Sequence, residues 1–273
     1  MRLPNFVVLV LLASASCSLG QAIVAHRGAS HDAPENTLTA FRLAWKQGAD
    51  AIEGDFHLTK DQHIVCLHDA DLKRTSNDPR EIAKMTLAEA RQVDVGAWKH
   101  PRFKGERIPT LPEVLALVPQ GKRLFLEIKC GPEIMAPLGR MRLSPDKVVI
   151  ISFNREVIRQ CREQLPSLKA HWLTSYEENE AGQWKPTEKE VRKTLREINA
   201  SGLDTKADPA RVTPAFVAIL REAKLEFHCW TVDDVALAKR FQALGVDSIT
   251  TNRPAWLRAE MEKVRFVDPG LPR

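Results

Sequence analysis

The segment AIEGDF (51–56) decides the fold, because its two carboxylates are tolerable in only a few architectures. Side chains alternate along a strand, so Ile52, Gly54 and Phe56 share one face while Glu53 and Asp55 share the other. The design recurs in RLFLEIK (123–129), where Leu124, Leu126 and Ile128 share one face, and Phe125, Glu127 and Lys129 the other. An antiparallel sheet with one wet face accounts for the first segment taken alone. Repetition in two strands favours sheet buried on both sides, apolar outward against helices and charged inward. Unpaired charge in such a place is costly and requires a cation or tight ion pairs.

The neighbouring sequence supports that arrangement. Further strand patterns occur at AIVAH (22–26), KVVIISF (147–153), KAHWLT (169–174), GLDTKA (202–207), EFHCWTV (226–232) and VDSITT (246–251). Helical spacing of apolar residues lies between most of them: TLTAFRLAWKQG, TLPEVLALV, REVIRQCREQ, PTEKEVRKTLREIN, TPAFVAILREA and DDVALAKRFQALG. Asn36 or Thr37 caps the first helix, and Gly48 follows its end. Eight βα units predict an α/β (β/α)8 TIM barrel, with an open doubly wound sheet as the alternative. Residues 57 to about 109 interrupt the second unit with another strand-like piece, HIVCLH, and a loop-rich stretch. They are expected to form a small insertion at the barrel mouth.

Composition narrows the function classes. Hydrophobic residues at 44% and charged residues at 27% exclude wholesale disorder. In MRLPNFVVLVLLASASCSLG (1–20), Arg2 precedes a short apolar run and then small residues, the layout of a secretory signal peptide. The run is too short to span a bilayer, so no transmembrane segment is expected in the mature chain. Cys17 raises a lipoprotein alternative, disfavoured because Ser14 replaces an aliphatic residue three positions earlier. The expected location is therefore periplasmic or extracellular. Basic residues are scattered and aromatics few, so no nucleic-acid partner is indicated. Cys66, Cys130, Cys161 and Cys229 lack CxxC spacing, which points away from zinc and toward free thiols.

Glu53, Asp55 and Glu127 offer oxygen ligands and no sulfur, which suits Mg²⁺ or Ca²⁺ better than zinc. His26 ends the first strand beside Arg27 and Gly28, and His68 returns from the insertion. Taken singly, each histidine is an ordinary core or surface residue, as are His31, His57, His63, His100, His171 and His228.

Together, AHRGASHDAPENTLTAF (25–41) and GADAIEGDFHLTKDQHIVCLHDADLKRT (48–75) resemble the glycerophosphodiester phosphodiesterase family, and LFLEIK, VVIISFN, CWTVDD and GVDSITTNRP match its later blocks in order. That resemblance implies the same barrel with an insertion after its second strand. It implies that Glu53, Asp55 and Glu127 hold one divalent cation and that His26 and His68 form an acid–base pair. Arg27 and Lys129 would contact phosphate, Glu35 would lie near the cation or orient Arg27, and Trp230 would wall the glycerol moiety. The expected reaction is hydrolysis of a small-molecule glycerophosphodiester to glycerol 3-phosphate and an alcohol. Its nucleophile is either the glycerol 2-hydroxyl or a water held by the cation. Alternatives on the same scaffold are a lysophospholipase D, a phospholipase C-like enzyme, or a non-catalytic surface binding protein. Two departures stand out: Asp61-Gln62 replaces the usual Asp-Gly turn, and Asp233 replaces the usual asparagine after WTV.

Overall fold

The computed structural model describes residues 22–263, so the leader expected at 1–20 lies outside the described residues. The first strands in chain order are β1 (Ala22–Ala25), β2 (Ala51–Leu58), β3 (Ile64–Cys66), β4 (Arg123–Ile128), β5 (Val148–Ser152) and β6 (Lys169–Thr174). There follow β7 (Glu177–Glu178), β8 (Trp184–Lys185), β9 (Gly202–Lys206), β10 (Glu226–Trp230) and β11 (Ser248–Thr251). Eight of them form a parallel ring in the order β1, β2, β4, β5, β6, β9, β10, β11. Closure comes from β1, which pairs with β11 through Ala22↔Ser248 and with β2 through Val24↔Ala51. The doubly wound alternative is thereby excluded, and the chain is a (β/α)8 barrel.

All eight expected strands form. A helix follows each, including the two that the apolar spacing did not reveal, Met135–Arg140 and Pro254–Glu262. Pro137 and Gly139 obscure the first. The first outer helix, Leu38–Lys46, is capped by Thr37, whose hydroxyl accepts from the Ala40 amide. Asn36, the other cap candidate, is left free for a different task described below.

Two apolar layers result from the alternation. Ile52, Phe56, Leu124, Leu126 and Ile128 face outward into the main core beneath the helices. Val24, Phe125, Val149, Ile151 and Leu173 face inward and fill the barrel axis. β2 runs to Leu58, two residues further than expected, because β3 pairs with it antiparallel through Phe56↔Cys66 and Leu58↔Ile64. The segment beyond carries its own small core around Val65, Leu72, Ile82, Met85 and Ile108. It is thus a packed module beside the mouth. The β7–β8 hairpin after β6 was not expected from sequence.

Candidate active site

The C-terminal ends of β1, β2 and β4 bring the inward charges together. Glu53, Asp55 and Glu127 are all buried and each offers an oxygen within 4.8 Å of the others. β2 and β4 pair in register with Asp55 opposite Glu127, which explains the meeting of residues distant in sequence. Buried Glu53 Oε1 and Asp55 Oδ1 have no hydrogen-bond partner among the described residues. Burial and mutual repulsion push Glu53 far above the usual carboxylate range and Glu127 up to about 7. Asp55 goes the other way: burial opposes it, but Arg27 and Lys129 hold it below the ordinary value. Crowded acids with unsatisfied oxygens fit a hard divalent cation, whose charge would relieve the repulsion.

Two basic side chains flank the acids. Lys129 Nζ donates to Glu127 Oε1 at 2.8 Å and lies 3.6 Å from Asp55 Oδ1. Arg27 Nε sits 3.2 Å from Asp55 Oδ2, and its Nη1 donates to Glu35 Oε1 at 2.9 Å. The Arg27 backbone N–H donates to Glu53 Oε2 at 2.8 Å. That contact needs an abrupt turn after β1, and Arg27 adopts the left-handed region at φ 55 to make it. Gly28 follows at φ 81, where a Cβ would meet the Ala40 carbonyl carbon at 2.6 Å, so only glycine fits against the first helix. Asn36 is also left-handed; its Nδ2 donates to Asp55 Oδ2 at 2.8 Å while its Oδ1 accepts from the Asp55 amide.

Both histidines face the same cleft, which measures about 260 Å³ and is lined by His26, Arg27, Glu53, His68, Glu127, Lys129 and Trp230 among others. His26 Nε2 is 4.0 Å from Glu53 Oε2, and its Nδ1 meets Asn252 Oδ1 at 2.7 Å. Burial, together with Arg27, lowers its pKa and favours the neutral ring. Asn252 is in turn held by Asp233, whose Oδ2 accepts from Nδ2 at 2.5 Å. The negative charge introduced at Asp233 is therefore spent on the loop that carries Asn252. His68 Nδ1 meets Asp69 Oδ1 at 2.6 Å. Against partial burial, Arg74 and His68 draw Asp69 down to about 2.

The remaining expectations sort clearly. Glu35 lies outside the three-acid group and accepts from both Arg27 and Arg74, which is the orienting geometry. His57 supports the other side of the cleft, with Nε2 3.1 Å from the His68 carbonyl oxygen. His63 is exposed, 3.4 Å from Asp61. Trp230 is half-buried on the cleft wall, edge-on to Phe153 with centroids 5.6 Å apart. Phe153 is an exposed aromatic beside Lys129 that sequence reasoning passed over, as it did Asn36, Asp69, Arg74 and Asn252. Among the described residues, Cys66, Cys130, Cys161 and Cys229 are free thiols.

The sequence model of the glycerophosphoryl diester phosphodiesterase family matches residues 26–256. A glycerophosphodiester phosphodiesterase of Caldanaerobacter subterraneus is 32% identical over 245 residues, covering 86% of this chain and 95% of the relative. One from Bacillus subtilis is 30% identical over 251 residues, covering 85% and 83%. Among solved structures, an Oleispira antarctica phosphodiesterase in complex with the product sn-glycerol-3-phosphate aligns with a TM-score of 0.76 at 26% identity. That alignment covers 88% of this chain and 96% of the other.

Proposed function

The chain belongs to the glycerophosphoryl diester phosphodiesterase family, and on that premise we propose that it hydrolyses glycerophosphodiesters to glycerol 3-phosphate and an alcohol with a bound divalent cation. The observation that carries this reading is a cluster of three buried carboxylates, two of which line one cleft with two imidazoles. Glu53, Asp55 and Glu127 hold the cation, Mg²⁺ or Ca²⁺ by the chemistry of an all-oxygen set. Bound there, it supplies Lewis-acid neutralisation of phosphoryl charge. Arg27 takes phosphate oxygens through its planar fork and Lys129 adds a point charge. Trp230, with Phe153 against its edge, forms an apolar wall for the carbon face of the glycerol moiety.

The hydrogen bonds suggest how the histidines divide the work. Asp233 can only accept, so Asn252 turns its amide nitrogen to Asp233 and its oxygen to His26. His26 then carries its proton on Nδ1 and presents a lone pair at Nε2 toward the cleft, which suits it as the base for the attacking glycerol hydroxyl or water. His68, whose Nδ1 is held by the Asp69 carboxylate, is then placed to give a proton to the leaving alcohol. Asp69 and Asn252 thus act through the rings they hold.

Release of glycerol 3-phosphate from glycerophosphocholine, glycerophosphoethanolamine and glycerophosphoglycerol, with and without chelator, tests the proposal. Turnover should vanish in chelator and return with either cation. Full activity in chelator overturns the cation assignment, and no release from any of the diesters overturns the reaction. Residues 1–20 serve, in the same reading, as an export signal that places the enzyme outside the cytoplasm; amino-terminal sequencing of protein recovered from the cell envelope or medium tests this. An intact Met1 there would reject it.

A further inference from the structure

At the opposite end of the barrel, near the N-terminal ends of β6 and β10, lies a second group of metal-ligating side chains. His171 on β6 and Glu226 and His228 on β10 each offer a donor atom within 4.8 Å of the others. His171 is fully buried and His228 nearly so. Their rings stack with centroids 4.6 Å apart and planes 16° from parallel. The Nε2 atoms approach the same oxygen, Glu226 Oε2, at 3.1 Å from His171 and 3.6 Å from His228. Neither approach has hydrogen-bond geometry: both nitrogens of His171 and Nε2 of His228 lack a hydrogen-bond partner among the described residues. A buried donor and acceptor this close normally align. Three donor atoms gathered within 4.8 Å, with the imidazole nitrogens unpartnered, are the pattern of a ligand set, which a turn of the stacked rings would bring onto one ion.

From this convergence we infer that His171, Glu226 and His228 form a second cation site, selective for zinc or a similar late first-row divalent ion. Two imidazoles and one carboxylate suit such ions and disfavour Mg²⁺ and Ca²⁺. Donors around tetrahedral zinc lie about 3.3–3.6 Å apart, given metal–ligand distances of about 2.0–2.2 Å. The observed 3.1 and 3.6 Å separations bracket that edge. The surroundings orient two of the ligands. Ser248 Oγ meets His228 Nδ1 at 2.7 Å, directing Nε2 to the site, and Lys169 engages Glu226 through Oε1, leaving Oε2 to the imidazoles. Half-buried Glu226 leaves a side open to solvent for entry and for a fourth ligand. An ion here clasps β6 to β10 across the intervening β9, and it would stabilise the fold without touching the substrate cleft.

The test uses the full chain carrying E53Q and E127Q, which disables the mouth site, after chelator treatment. Zn²⁺ titrated in a calorimeter should bind at one equivalent and raise Tm, and Co²⁺ in its place should give visible ligand-field bands. Adding H171Q and H228Q should weaken binding at least 100-fold. E226Q, on a half-exposed residue that tolerates the change, should weaken it at least 10-fold, and S248A roughly 10-fold. If the double histidine variant does not fold, the E226Q and S248A measurements decide. Absence of one-equivalent binding overturns the proposal, leaving Glu226 as an acceptor for Lys169 alone. Binding that survives E226Q unchanged also overturns it, placing the ion elsewhere, for instance on the thiols.

Discussion

The two ends of the barrel interior are built from the same inward alternation and differ in their balance of charge. At the mouth three acids crowd together, and two of them are pushed above their ordinary pKa by burial and by each other. At the base one acid, Glu226, faces Lys169, His171 and His228, and its pKa is driven far below the usual range by the two rings, with Lys169 adding to them. The mouth therefore stores repulsion that a bound cation can relieve, while the base has a single acid and no like-charge crowding to relieve. Strand β10 serves both, carrying Glu226 and His228 below and Trp230 above. An inward charge on a barrel strand is therefore not diagnostic of chemistry; like charges crowded together with some of their buried oxygens unsatisfied are the better sign.

The sharpest way to break that contrast is to remove one group from each end. H26A or H68A should each lower turnover roughly 10²–10⁴-fold with the circular dichroism spectrum unchanged. E226Q, at the base, should leave glycerophosphodiester turnover near wild type. Equal losses from the two ends would dissolve the distinction.

Stability against pH probes the stored repulsion directly. Because the folded chain raises Glu127 to about 7, ionising it disfavours the fold, and metal-free protein loses stability as pH rises from about 4.5 through about 7. In chelator, E127Q should be more stable than wild type near pH 8, by up to roughly 3 kcal/mol, with the gap narrowing on acidification. The base runs oppositely: burial lowers His171 to about 4, so its contribution is lost as pH falls from about 6.5 toward 4. Urea midpoints across pH report both trends. A gap independent of pH would remove the crowding account.

Smaller effects sharpen the boundaries of the mouth. W230A should raise KM about tenfold with little change in kcat, as expected for a wall that binds ground and transition states alike; a kcat loss of the same size would instead give Trp230 a part in the chemical step. Least of all, Q62G should stabilise the protein by roughly 0.5–1 kcal/mol in urea melts. Gln62 occupies the left-handed region at φ 64 in an exposed turn that suits glycine, and no proposed catalytic group touches it. Destabilisation would show that the Gln62 side chain matters to the insertion.

The barrel was legible because period-two and helical patterns alternate over the whole chain, and Glu53, Asp55 and Glu127 announced themselves by breaking an apolar run. Their supporters were not. Asn252 lies 226 residues from His26 and sits in a polar loop, where no periodicity marks a partner. Asn36 looked like a helix cap, and Thr37 took that role. At the base, His171 and Glu226 are 55 positions apart, and each alone resembles an ordinary strand residue. Register between strands, which a single sequence does not display, made these groups neighbours.

One feature of the mouth bears on how relatives of this enzyme can diverge. Arg27 contacts Glu35, Glu35 is forked by Arg74, Arg74 reaches Asp69, and Asp69 holds His68. Of these five residues the barrel contributes the first two and the insertion the last three. A graft that exchanges the insertion between homologues must carry a matching cation for Glu35, or it disconnects Arg27, the proposed phosphate ligand, from His68, the proposed proton donor. Natural or engineered chimeras should therefore keep turnover only where that electrostatic joint is matched.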